Sequence, residues 1–276
     1  MDLPPGPLTD AHCHLHDDQL RGAGFSVERW LCDEAPADWR GIVNGTSPAD
    51  WEAVLALART DARILPQIGL HPWRVRERPR DWASRLETLL IQNPQTGVGE
   101  CGLDKWIEGA DITDQTHVFK EHLSLAHRLN RPLTVHCLRA WGPLRQVLEG
   151  TPNRPPAFLL HGYGGPPELV PVFVDLGAYF SYSPSFADPR KTRARAAFRI
   201  IPRERLLVET DAPSMPPPAD TPGALLLKAR EDGPCLSHPG NLAVSLRSLA
   251  GLRGEDTESL REALEQNLRD LLKFLQ

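Results

Sequence analysis

Short apolar runs rich in β-branched residues alternate with longer amphipathic stretches along most of the chain. Strands that are buried on both faces read as continuous apolar runs, so eight of these segments are predicted as strands of a parallel sheet. The predicted strands are residues 8–11, 41–44, 64–69, 97–100, 132–136, 157–161, 178–181 and 206–209.

The stretches between the strands repeat apolar residues every three to four positions, which is typical of helices with one buried face. One helix is predicted after Ser47 and Pro48, because serine caps a helix and proline suits its first turn. A second is predicted over residues 114–129. The C-terminal stretch repeats the pattern at Leu260, Leu264, Leu268, Leu271 and Leu275.

Eight strands alternating with helices favour an α/β fold, and eight such units close most economically into a (β/α)₈ TIM barrel. A doubly wound open sheet is the competing architecture. It is less favoured because no glycine-rich dinucleotide or phosphate-binding motif follows the first strand. The length of 276 residues suits a barrel of roughly 250 residues. We therefore expect a single domain over residues 1–276.

Composition narrows the class of protein further. With 41% apolar and 24% charged residues the chain can bury a core, which excludes wholesale disorder. No segment approaches the roughly 20 apolar residues of a membrane span, and the first residues lack the pattern of a signal peptide. Five scattered cysteines, an odd number, favour reduced thiols. We expect a cytoplasmic protein with no membrane association and no obligate protein partner.

Potential metal ligands fall at the carboxyl ends of five predicted strands. On an extended chain, alternate residues face the same way, so His12 and His14 are expected to point together into the barrel mouth. The complete set is His12, His14, Glu100, His136, His161 and Asp211. A lone histidine is usually structural, but six ligand-type residues at matching strand ends indicate a metal site. Imidazole and carboxylate suit two divalent metal ions, for which Zn, Mn, Fe, Co and Mg all remain open.

Four motifs strengthen this interpretation. They are DAHCHL at residues 10–15, GLHP at 69–72, GECGLD at 99–104 and ETDAP at 209–213. Together and in this order they resemble the motifs of the TatD-type metal-dependent hydrolases, and the likeness covers nearly the whole chain. The resemblance implies an amidohydrolase-like barrel with a two-metal site and, since several members are deoxyribonucleases, a nuclease activity.

The resemblance also implies roles for individual residues. His12, His14 and Asp211 would hold one metal, His136 and His161 the other, and Glu100 would bridge the two. Asp211 would also accept a proton from the attacking water.

Two further residues keep open alternatives. Glu209 is either a catalytic carboxylate or a buried group that orients a histidine ligand. His71 is expected near the substrate, with a capping or loop-packing role as the alternative. Asp104 is expected to fix its own loop, and three histidines of the helix over 114–129 are expected at the surface: His117, His122 and His127.

Two basic segments bear on the substrate, despite a net charge of 31 − 36 = −5. Arg74, Arg76, Arg78 and Arg80 follow the third strand, and Arg190, Lys191, Arg193, Arg195 and Arg199 follow the seventh. These segments would attract an anionic polymer, or they are ordinary solvated helix faces. Trp73 and Trp106 would stack nucleobases, or they cover the apolar edge of the barrel. We expect DNA as the substrate, and the resemblance suggests cleavage of single strands from the 3′ end.

One departure from the family pattern affects the substrate side. Many members carry an arginine two residues beyond the ligand at the end of strand five, whereas this chain has Leu138 there and Arg139 one position later. After strand six, Tyr163 stands where relatives often have phenylalanine. A small-molecule ester, lactone or amide hydrolase is therefore one alternative function. A non-catalytic interaction protein that keeps the metal site is another.

Overall fold

The computed structural model describes residues 6–155, 157–229 and 232–273, so the predicted helix position Leu275 lies outside the described residues. Eight parallel strands form one sheet in the order of the chain. They are β1 Leu8–Cys13, β2 Trp39–Asn44, β3 Ile64–Ile68, β4 Gly97–Asp104, β5 Leu133–Leu138, β6 Phe158–Leu160, β7 Ala178–Tyr182 and β8 Leu206–Val208.

The sheet closes on itself just past the end of its last strand. The backbone N–H of Asp211 donates to the carbonyl of His12 at 2.9 Å, and that of His14 donates to the carbonyl of Ala212 at 2.7 Å. These bonds join β1 to the segment after β8, as a barrel requires and an open sheet does not. The predicted (β/α)₈ barrel and all eight predicted strands are confirmed, and the doubly wound alternative is wrong.

Helices follow most of the strands. They are α1 Asp18–Gly22, α2 Val27–Arg29, α3 Trp51–Thr60, α4 Trp82–Gln92, α5 Ile112–Arg128, α6 Trp141–Glu149, α7 Val170–Asp175, α8 Thr192–Ile200, α9 Leu242–Arg253 and α10 Thr257–Leu272. A short hairpin, β9 Leu226–Lys228 with β10 Cys235–Ser237, precedes α9. Within the described ranges, no helix combines the length and the apolar character needed to cross a membrane.

The apolar core has two parts, one larger and one smaller. The smaller one joins Ala11, Ile42 and Leu207 of the strands to Leu268 and Leu271 of α10. The α10 helix is also tied to β1 by a polar contact, since a Glu265 carboxylate oxygen accepts the N–H of Thr9 at 2.6 Å. The start of β1 is thus covered by α10, which leaves the carboxyl ends of the strands as the accessible face.

Two strands are irregular at the residues expected to bind metal. The pairing register shifts between Asp10 and Cys13 on β1, and between Val98 and Cys101 on β4. Such bulges re-aim side chains near active sites. Glycine permits the irregularity on β4, because a Cβ on Gly102 would lie 2.0 Å from the carbonyl oxygen of His136.

Candidate active site

A cavity of about 660 Å³ opens at the carboxyl ends of the barrel strands. Five of the six predicted ligands line it, namely His14, Glu100, His136, His161 and Asp211. The sixth, His12, is fully buried against them. The structure therefore brings together, at one end of the barrel, residues that are separated by up to 199 positions in the sequence (211 − 12).

His12, His14 and Asp211 form the first cluster. The Nε2 atoms of the two histidines lie 3.1 Å apart, and the Oδ1 atom of Asp211 lies 3.5 Å from each of them. The Nδ1–H of His14 donates to the carbonyl of Asn44 at 2.7 Å, which leaves the Nε2 lone pair facing the cluster. Asp211 is in the left-handed region at φ 49°, a conformation that aspartate tolerates better than most residues.

His136 and His161 form the second cluster. Nδ1 of His136 lies 3.2 Å from Nε2 of His161. On its other side, the Nε2–H of His136 donates to Oδ2 of Asp104 at 2.9 Å. This contact sets the tautomer of His136, so that its Nδ1 lone pair points toward His161.

Glu100 lies between the two clusters and gives one carboxylate oxygen to each. Oε2 lies 3.4 Å from Nε2 of His12 and 3.3 Å from Nε2 of His14. Oε1 lies 3.0 Å from Nδ1 of His136 and 2.8 Å from Nε2 of His161. A carboxylate can divide its oxygens between two ions in this way, whereas a neutral imidazole has a single lone pair to offer.

The donor set fits divalent cations. Ring nitrogens and carboxylate oxygens converge at 2.8–3.5 Å, and the hydrogen bonds of His14 and His136 turn lone pairs, not protons, toward this centre. Buried acceptors that face one another need a shared proton or a cation. Three overlapping groups of ligand atoms meet the spacing expected of a metal site.

The electrostatic field of the site also favours positive charge. Although burial alone would raise it, the neighbouring histidines hold the pKa of Glu100 well below its usual range. Burial alone would lower the pKa of His14 and His161, yet contacts with the carboxylates raise both well above the usual value. A field that stabilises imidazolium stabilises a divalent cation for the same reason.

Glu209 is fully buried and does not line the cavity. One of its oxygens accepts a hydrogen bond from the hydroxyl of Ser181, and Oε1 lies 3.9 Å from Nδ1 of His161. Burial raises the pKa of Glu209 to about 7. Glu209 therefore lies beside His161, at a distance longer than a hydrogen bond.

His71 lines the cavity beside Glu100. Its Nδ1 accepts the backbone N–H of Trp73 at 3.2 Å, so in the neutral ring the proton is on Nε2, which lies 3.3 Å from Oε1 of Glu100. Burial lowers the pKa of His71 to about 4, so the ring is neutral at pH 7. His71 is therefore placed as a hydrogen-bond donor at the cavity, and it also caps the short helix Pro72–Glu77.

The residues predicted to face substrate divide into two groups. The residues that line the cavity are Trp73, Trp106, Leu138, Arg74, Arg190, Lys191 and Arg193. The predicted residues that do not line it include Arg76, Arg78, Arg80, Arg195 and Arg199. Tyr163 is fully buried, and its hydroxyl donates to the carbonyl of Pro166 at 2.8 Å. The replacement at position 163 therefore leaves the cavity wall unchanged, whereas Leu138 forms part of it.

The sequence interpretation missed several supporting residues. Asp10 accepts the N–H groups of His12 and Thr210, and so ties the first ligand strand to the turn before Asp211. The contact of Asp104 with His136 was also missed, although the position of Asp104 at the end of a ligand strand was a usable signal.

The expected surface location of His122 is wrong, while His117 and His127 are exposed as predicted. His122 is fully buried, stacks on Trp82 and accepts the N–H of Leu70 at 3.0 Å. It belongs to the packing behind the His71 loop, and its spacing of four residues from Val118 and three from Phe119 was a usable signal that it lies on the buried face.

Comparisons with known proteins agree with this geometry. The family model described as TatD related DNase matches residues 9–273. A curated relative from Pantoea ananatis, named 3′-5′ ssDNA/RNA exonuclease TatD, is 32% identical over 85% of this chain and 88% of its own length. An Escherichia coli protein named uncharacterized metal-dependent hydrolase YjjV is 28% identical over 94% of this chain and 95% of its own.

Solved structures extend the likeness to the fold. The crystal structure of the TatD homologue YjjV from Escherichia coli superposes with a TM-score of 0.84 at 28% identity, covering 96% of this chain and 97% of that one. A TatD family hydrolase from Entamoeba histolytica, at 17% identity, has the same fold with a TM-score of 0.76 over 96% of this chain and 97% of its own. The chain belongs to the TatD family of metal-dependent hydrolases.

Proposed function

We propose that this protein is a metal-dependent phosphodiesterase that removes nucleotides from the 3′ end of single-stranded nucleic acid. The observation that carries the proposal is the pair of ligand clusters that share Glu100 at the floor of the cavity. Relatives named as 3′-5′ ssDNA/RNA exonucleases support the substrate class.

Two divalent cations are proposed, one at each cluster. His12, His14 and Asp211 would hold the first, His136 and His161 the second, and Glu100 both. When bound, such ions lower the pKa of a water molecule and neutralise charge on the phosphate under attack. The metal could be Zn, Mn, Fe, Co or Mg, since the donor set suits several of them.

The side chains near the proposed metal site would accept protons and donate hydrogen bonds during the reaction. Burial alone would raise the pKa of Asp211, but the neighbouring His14 and His12 lower it, so the carboxylate is ionised and able to accept a proton from water. His71, neutral with its proton on Nε2, is proposed to donate a hydrogen bond to a phosphate oxygen or to the leaving group, without transferring the proton. Glu209 is proposed to orient His161 in place of a direct catalytic role.

Charge at the cavity supports an anionic substrate. Lys191 and Arg193 line it, and no carboxylate of the described residues lies within ion-pair distance of either. Arg190 is already engaged, because it forms a bidentate pair with Asp188. Lys191 and Arg193, beside the proposed two-metal cluster, suit a substrate that carries several phosphates.

The test uses single-stranded DNA labelled at the 5′ end, incubated with metal-loaded protein. Stepwise shortening that needs both metal and Asp211 is expected, so a chelated sample and Asp211→Asn should leave the strand intact. Asp81→Asn is the matched control, because Asp81 is exposed and its side chain makes no capping hydrogen bond. Its cleavage should equal that of the wild type.

The same assay decides among the alternatives. Cleavage of an aryl ester, with DNA left intact and the same dependence on metal and Asp211, would contradict the nuclease and favour a small-molecule hydrolase. A stable protein that turns over neither substrate would favour the interaction protein.

We also propose a single domain over residues 1–276 and a cytoplasmic location. The location is supported by the five cysteines, all of which are unpaired.

A further inference from the structure

Exposed apolar side chains gather at one side of the cavity. Among the described residues, six large hydrophobic side chains are exposed, and three of them line the active-site cavity: Trp73, Trp106 and Leu138. Trp73 and Trp106 follow the strands β3 and β4, and Leu138 is the last residue of the adjacent strand β5. The carboxyl ends of three neighbouring strands thus build one wall, which we call the apolar wall.

The Asp104 carboxylate holds the indole of Trp73 and the backbone of Trp106. Trp73 is 47% exposed, yet its Nε1–H donates to Oδ2 of Asp104 at 2.7 Å. The backbone N–H of Trp106 donates to Oδ1 of the same carboxylate at 2.6 Å, while its side chain leaves the residue 56% exposed. Holding an exposed aromatic residue in one position does not help a surface that only meets solvent. In a binding site it lowers the entropy cost of binding, because the residue is already placed for its ligand.

Asp104 links the apolar wall to the metal cluster. It is fully buried, and its peptide group is clamped by the Gln115 side chain, which accepts from its N–H at 2.8 Å and donates to its carbonyl at 3.0 Å. The Oδ2 atom that binds Trp73 also binds His136. The ring centroids of Trp73 and His136 are therefore held 6.5 Å apart.

We propose that the apolar wall binds the nucleobase of the nucleotide that is removed, with Asp104 fixing the spacing between that base and the scissile phosphate. This inference rests on the proposed function and adds to it. The segment after β7, which lies across the barrel from β3, carries Lys191 just before α8 and Arg193 in its first turn, and both suit the phosphates of the retained strand. In this arrangement the aromatic base of the nucleotide would stack on the apolar wall, and the negatively charged phosphates would lie near the cations.

Leu138 makes the assignment specific to this chain. An arginine at that position would place a cation in the wall, whereas leucine extends the apolar surface beside the indoles. Binding of the terminal nucleotide at the apolar wall is therefore expected to require a base but to depend little on which base it is, because every base has an aromatic face.

The experiment compares two 5′-labelled single strands of identical sequence, one ending in an ordinary 3′ nucleotide and the other in an abasic 3′ residue. With the wild type, the first cleavage of the intact strand should be roughly five- to 150-fold faster than that of the abasic strand, the range expected for one base stacked on an aromatic ring. With Trp106→Ala this preference should fall toward one, while Trp106→Phe should keep most of it.

Ile91→Ala is the matched control, since Ile91 is 61% exposed but lies on α4, away from the cavity lining. It should keep the full preference. Equal rates on the two strands with the wild type would overturn the proposal. So would a Trp106→Ala variant that slows both strands by the same factor, which is the behaviour of a purely structural residue.

Failure of the proposed function gives a different result, because neither strand is then shortened by metal-loaded wild type. In that case equilibrium binding of the two strands, followed by fluorescence anisotropy, still decides the base site. A wild type that binds both strands equally would refute it, and a preference for the intact strand that Trp106→Ala abolishes would support it.

Discussion

Replacing Glu100 with glutamine should remove one metal site and spare the other. The substitution keeps the size of the side chain but replaces one anionic carboxylate with a neutral amide. The cluster of His12 and His14 retains the carboxylate of Asp211, 3.5 Å from both rings. The cluster of His136 and His161 lies against Oε1 of Glu100 and would be left without this anionic oxygen.

The expected magnitude follows from what each cluster loses. Changes to residues that only orient a ligand cost about 10- to 100-fold in metal affinity. Loss of a direct anionic ligand should cost more, so the second cluster should weaken by at least about 100-fold, or about 3 kcal/mol. The first cluster should weaken less, because Asp211 still supplies negative charge. Metal content should fall from the proposed two ions per chain to about one.

The assay is metal per chain, measured by plasma mass spectrometry after dialysis against metal at a fixed free concentration. Calorimetric titration of the metal-free protein gives the two affinities separately. Glu121→Gln is the matched control, since Glu121 is exposed on α5 and changes the net charge by the same amount. Circular dichroism of each variant checks that the barrel still forms.

Two results would refute this reasoning. Two ions per chain with unchanged affinities would mean that Glu100 does not bridge the clusters. Equal weakening of both sites would mean that Asp211 does not compensate at the first cluster. Either result requires a different division of the ligands, for example one in which His71, 3.3 Å from Glu100, takes part.

Two further predictions concern Leu138 and His122. Leu138→Arg adds a cation to the apolar wall, which we propose meets a base and not a phosphate. The plot of log binding constant against log salt for single-stranded DNA should therefore steepen by much less than the roughly 0.7 expected for one added phosphate contact, and a full steepening would argue that position 138 meets phosphate. Burial lowers the pKa of His122 to about 4, so the folded protein favours the neutral ring. The stability linked to this shift is fully present above pH 6.5, and about 3 kcal/mol of it is lost as the pH falls to 4. His122→Phe should lower the free energy of unfolding by roughly 1–3 kcal/mol at pH 7, because the N–H of Leu70 loses its acceptor. Urea unfolding should show that the difference in stability between the variant and the wild type narrows at pH 4. A gap that does not change with pH would contradict the assigned titration.

Much of the fold was predictable because the signals are local. Each barrel strand is short and buried on both faces, so it reads as an apolar run whatever its neighbours are. The ends of the strands were less predictable. The β4 strand continues to Asp104, four residues beyond the prediction, because glycines at 99 and 102 let it bend against β5 without losing its pairing.

The ligand set was predictable for a different reason. Parallel strands in a barrel end on one face, so polar residues at strand ends must converge whatever the details of packing. His12 and His14 illustrate this, since simple alternation along β1 placed both on the same side. The sequence could not show that Asp104 meets His136 or that Glu209 lies beside His161, because such contacts depend on which ring each carboxylate meets in space.

The sequence by itself determined the barrel, its order of strands and the residue types at its mouth, because periodicity and strand ends are properties of neighbouring residues. Only the tertiary structure decided which way each ring is turned, since the tautomers of His14 and His136 depend on the Asn44 carbonyl and the Asp104 carboxylate. Both contacts join residues about 30 positions apart, and hydrogen bonds over such separations exist only once the strands have paired.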